Sequence, residues 1–105
     1  MFATNNNPKV ELLVQSVDSY ITELKKTEIH KDSDEWYLLN NLTDFRQLLI
    51  TAKSKQDIKN ASKILSRFCV ESFNWDTNNF KKCVALSEEG FAVAKYFVSE
   101  ATHSI

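Results

Sequence analysis

Glycine and proline are almost missing from this sequence: one of each, with two cysteines, in 105 residues. Average usage would supply about seven glycines and about five prolines at this length. Hairpin turns and phosphate-cradling loops depend on glycine, which reaches positive φ freely and lets backbone approach a ligand. A single glycine excludes a P-loop and a dinucleotide-binding turn, which need several. It also argues against a β-sandwich or barrel. Two cysteines are too few for a disulfide framework. No apolar run reaches the length of a membrane span. The start, Met1-Phe2-Ala3-Thr4-Asn5-Asn6-Asn7-Pro8, has no basic stretch and no apolar run, so no secretory signal is expected. The expectation from these absences is a cytoplasmic, reduced protein with no membrane association.

An excess of one charge is missing too. Thirteen Lys and Arg stand against 14 Asp and Glu, a net charge of -1. General nucleic-acid binders carry a strong basic excess, because phosphate contacts supply their affinity. Arginine, the residue of bidentate phosphate and base recognition, occurs only as Arg46 and Arg67.

What the chain does have is helical periodicity. Its length fits one domain over 1–105, with 1–6 and 102–105 as frayed ends. The first helix is predicted over 8–27, with Asn7 as cap and Pro8 at the first position. Its apolar face is Val10, Leu13, Val14, Val17, Tyr20, Ile21 and Leu24. A second helix is predicted over 34–53, capped by Ser33 or by Asp32 in a capping box with Glu35. Its stripe is Leu38, Leu42, Phe45, Leu49 and Ala52, widened by Leu39 and Leu48. A third, over 55–73, starts at Ser54 with Asp57 three residues on. It turns Ile58, Ala61, Ile64, Leu65, Phe68 and Cys69 inward. The fourth, over 78–101, is capped by Asp76 or Thr77 and carries Phe80, Cys83, Val84, Phe91, Ala94, Phe97 and Val98. The period continues across Gly90, so one long helix is favoured over a break near Ser87. Ser87, Gly90 and Ala94 mark a face where a neighbour can pack closely. Four helices of this length with short connections predict an all-α, up-down antiparallel four-helix bundle. Folding at the third turn brings Cys69 and Cys83 to a similar height. They are expected to be two buried, inert thiols.

Catalytic constellations fail one by one. Glu100-x-x-His103 has the spacing of a di-iron bundle ligand pair, but a second such pair is absent, since Glu28-x-His30 is spaced wrongly. No Gly-x-Ser-x-Gly elbow exists. Neither histidine follows an arginine at the Arg-x4-His spacing of a helical nuclease. The expectation is a non-enzymatic protein without metal or cofactor.

Charge pattern is more informative. Glu28, Asp32, Asp34 and Glu35 face a single Lys31, with His30 between them. In an up-down bundle the first and third turns share one end, so Trp36, Trp75 and Asp76 join this acidic segment. Tryptophan is enriched at interaction hot spots, and carboxylates beside it suit a basic partner. The predicted partner surface is therefore His30, Asp32, Asp34, Glu35, Trp36, Trp75 and Asp76. A second feature is the basic ridge Lys55, Lys59, Lys63 and Arg67, spaced every four residues on the third helix. It is the alternative anion-binding surface, for nucleic acid or for assembly of an oligomer, though lysine dominates it and no aromatic residues interleave. In size and fold class the chain resembles small bacterial toxin-immunity proteins, several of which are four-helix bundles. That resemblance rests on no shared motif. It implies stoichiometric protein binding, as by an immunity protein, antitoxin, inhibitor or adaptor.

Overall fold

A computed structural model of the chain describes residues 8–72 and 77–96. The order is α1 (Pro8–Lys25), α2 (Asp34–Ile50), α3 (Lys55–Ser72) and α4 (Asn78–Tyr96). The helices form an all-α four-helix bundle in which each packs on its chain neighbours and α4 closes back on α1.

Side-chain caps replace glycine at the helix starts. The Ser33 hydroxyl accepts the Trp36 N–H at 3.2 Å, the Ser54 hydroxyl the Asp57 N–H at 3.1 Å, and Thr77 Oγ1 the Phe80 N–H at 3.2 Å. Ser33 therefore caps α2, and the alternative box of Asp32 with Glu35 does not form. Asp32 sits one residue earlier with φ 68, a conformation Asp tolerates better than most residues. At α3 the box is reciprocal but offset, because Asp57 accepts the N–H of Lys53 at 2.9 Å. That bond commits Lys53 to the turn, and buried Ala52 is drawn onto the core. So α2 ends at Ile50 rather than at 53. Likewise α1 ends at Lys25 rather than at 27: the Lys26 and Thr27 N–H groups bond three residues back, to Glu23 and Leu24, tightening the last turn. The expected cap Asn7 and the expected continuation of α4 to 101 lie outside the described residues.

The core follows the predicted stripes. Leu13, Val17, Leu38, Leu42, Leu49 and Ile58 are fully enclosed, and Phe45 crosses the centre from α2 toward α4. Two assignments are corrected. Ile64 is 56% exposed and Leu48 is 40% exposed, because their neighbours Leu65 and Leu49 take the inward positions. Leu86 and Val93 join the core instead, on the inner face of α4.

The closest packing is between α3 and α4. Small buried residues make it possible: Ser62 on α3 faces Gly90 on α4, and Ala61, Ser87 and Ala94 are buried near them in sequence. α4 runs unbroken through Gly90, as the continuous period predicted. The two cysteines are buried as expected, but they are not separate thiols. Cys69 and Cys83 form a disulfide joining α3 to α4, with their Cα atoms 6.2 Å apart. The pairing withdraws the support that reduced thiols gave to a cytoplasmic location. No helix among the described residues is long and apolar enough to cross a membrane.

Candidate functional site

The first connection, residues 26–33, and the start of α4 lie at one end of the bundle. Contacts between α1 and α4 fix this. The Tyr20 hydroxyl donates to Asn79 Oδ1 at 2.7 Å, and Lys82 Nζ meets Glu23 Oε1 at 2.9 Å while lying 5.3 Å from the Tyr20 ring centre. Burial pushes the Tyr20 phenol up to about 12, with the charges of Glu23 and Glu35 adding to the effect. The hydrogen bond from Lys82, and then its charge, hold the Glu23 carboxyl below the usual carboxylate range. The field of Glu35 thus reaches the groove between α1 and α4. That groove encloses about 710 Å³ and is spanned by the Lys82–Glu23 pair. Among the described residues no histidine or cysteine lines it. Two carboxylates, Asp18 and Glu23, stand there beside two lysines, Lys26 and Lys82, so the charges of the lining balance.

The acidic turn is built by its caps. Ser33 donates its N–H to the His30 carbonyl at 3.1 Å, closing the turn that leads into α2. The His30 side chain is exposed, as are those of Asp32, Asp34 and Glu35. Trp36 is half-buried and meets the ring of Tyr37 edge-on, with centroids 4.9 Å apart. Tyr37 is 45% exposed, and its hydroxyl donates to Asp32 Oδ1 at 3.2 Å. That bond, with the negative charge of Asp32, raises the Tyr37 phenol above its ordinary value. Tyr37 was not among the expected site residues, although its place beside Trp36 at the head of α2 was a signal for it. The other two expected members, Trp75 and Asp76, lie outside the described residues.

The basic ridge is real as a surface. Lys55, Lys59, Lys63 and Arg67 are all exposed on α3, and none forms an ion pair among the described residues. Arg46, by contrast, is tied to Asp18 across α1 and α2. Among the described residues no three His, Cys, Asp or Glu side chains come together as metal ligands. Glu100 and His103 lie outside those residues. Comparison of the chain with known protein families, with curated proteins and with solved structures finds no match.

Proposed function

We propose that the chain is a non-enzymatic binding module that engages a basic partner protein stoichiometrically through its acidic, aromatic end. One observation carries the reading: exposed Asp32, Asp34 and Glu35 precede the Trp36–Tyr37 pair at the head of α2 and make no salt bridge among the described residues. Carboxylates without a salt bridge steer a cationic partner and fix its register, while large aromatic rings beside them supply area to bury. An immunity protein, antitoxin, inhibitor or adaptor works in this manner, with no chemistry of its own.

The test is capture from the native source with three baits: the wild-type chain, Asp32→Lys/Asp34→Lys, and Trp36→Ala. Circular dichroism first establishes that each bait is folded. The expected result is one basic protein retained at one-to-one stoichiometry by the wild type. Its affinity drops about tenfold or more with either variant, and binding weakens with added salt. Equal capture by all three baits would remove this end from the function.

A further inference from the structure

We propose a second docking surface, lined by none of the acidic-end residues: the groove between α2 and α3 receives one amphipathic helix of a partner protein whose flanks carry carboxylates. The groove encloses about 610 Å³, and its walls among the described residues are helix side chains. On α3 its floor runs from Asn60 through Ile64 and Phe68, and on α2 Asn41 faces them. From Asn60 to Glu71 the floor spans about 16 Å, the length of three helical turns. Ile64, 56% exposed, is an apolar side chain in a position that the bundle itself does not bury. Phe68, half-buried one turn further along α3, continues the apolar floor.

Charge selects the occupant. Lys63 and Arg67 line the groove against Glu71 alone, and Lys59 stands one turn before Lys63. α2 adds no charged side chain to the lining. Arg67 is the arginine without an ion pair among the described residues, since Arg46 is held by Asp18. Arginine beside the exposed Ile64 and the half-buried ring of Phe68 is the composition of an interface centre. A groove walled by two helices has no free backbone edge for a strand, whereas a third helix fits by packing its ridge between them. The occupant thus presents apolar residues at i, i+3 or i+4, and i+7, with Asp or Glu on the side facing Lys63 and Arg67.

The probe is a displayed library of random peptides about 16 residues long, long enough for three turns and their ends. It is panned on the folded wild-type chain, and winners are measured against Ile64→Asp, Ile64→Ser, Arg67→Glu and the acidic-end variant Asp32→Lys/Asp34→Lys. Enriched peptides are expected to show the helical apolar spacing with carboxylates beside it. Their affinity falls about tenfold or more with each groove variant and does not fall with the acidic-end variant. The last comparison separates failure here from failure of the acidic-end reading. Ile64 is exposed, so its substitutions leave the fold intact, and circular dichroism checks this. Four results would overturn the proposal: no enrichment; enrichment of basic peptides; affinity retained by both Ile64 variants; or self-association of the chain, seen by sedimentation and abolished by Ile64→Asp. Salt-sensitive retention of single-stranded nucleic acid that is lost in Arg67→Glu would equally assign the ridge elsewhere.

Discussion

Gly90 shows how one atom sets the distance between two helices. A Cβ there would lie 2.1 Å from Ser62 Oγ, 3.2 Å from Ser62 Cβ and 3.4 Å from Phe45 Cζ. Rotating the serine hydroxyl away would break its 2.9 Å bond to the Ile58 carbonyl and still leave the two β-carbons crowded. Alanine is the better helix former by about 1 kcal/mol, but overpacking a closed core costs about 1–3 kcal/mol. The packing term is the larger, so Gly90→Ala should destabilise by about 1 kcal/mol and lower the melting temperature by roughly 5 °C. Adding Ser62→Ala removes the worst contact and should recover more than half of the loss. Thermal melts of both single variants and the double variant close the cycle. A stabilised Gly90→Ala would mean that α3 and α4 are not held this close. Burial at single positions separates Ile64 from Leu65 in the same way: neighbours in sequence and both apolar, one faces solvent and the other the core. Periodicity alone assigned both inward, because it gives the centre of the stripe but not its edges: Ser62 is buried on one side of it while Ile64 is left outside.

At the scale of elements, α1 and α4 are held together at the acidic end by Tyr20, Asn79, Glu23 and Lys82. The fold favours the neutral Tyr20 phenol, whose pKa rises from 10.0 to about 12. Protons are therefore bound more tightly in the folded state than in the unfolded chain. The stabilisation is whole below the unfolded value of 10.0 and is lost as pH climbs toward about 12. The size is on the order of 2 kcal/mol. Urea melts across this alkaline range should show a fall that Tyr20→Phe reduces, and lysine deprotonation affects both proteins alike. Equal falls in the two would exclude the phenol as the source. This contact was only partly legible beforehand. Helix number, order and capping residue types follow from local rules, because Ser, Thr and Asp act on N–H groups within three residues. The turn end also followed from topology. The Tyr20–Asn79 bond and the Trp36–Tyr37 pair depend on helix rotation and side-chain rotamer, and one-dimensional spacing encodes neither. The same holds for Asp32: it and Ser33 are both good caps, and only the backbone path decided between them.

For the whole molecule the decisive link is covalent. Cys69 and Cys83, 14 residues apart, join α3 to α4 at the end that carries the acidic turn. Sequence placed them at one height but could not distinguish contact from a bond, since both need the same separation of helices. Closing a loop of this size restricts the unfolded chain and stabilises the fold by about 3 kcal/mol on the chain-entropy account. Reduction with a dithiol, or Cys69→Ala/Cys83→Ala, should therefore lower the melting temperature by on the order of 10 °C. Helical circular dichroism at low temperature should survive, because Ala61, Ser62, Gly90 and Ala94 hold α3 against α4 without it. Amide exchange should accelerate first in the last turns of α3 and the first turns of α4, where the bond is the main tether, and less around Gly90. Thiol titration of the unfolded, unreduced protein should find no free cysteine, and two after reduction. An unchanged melting temperature once both thiols are free would show that helix packing alone carries the bundle and that the disulfide adds nothing to its stability.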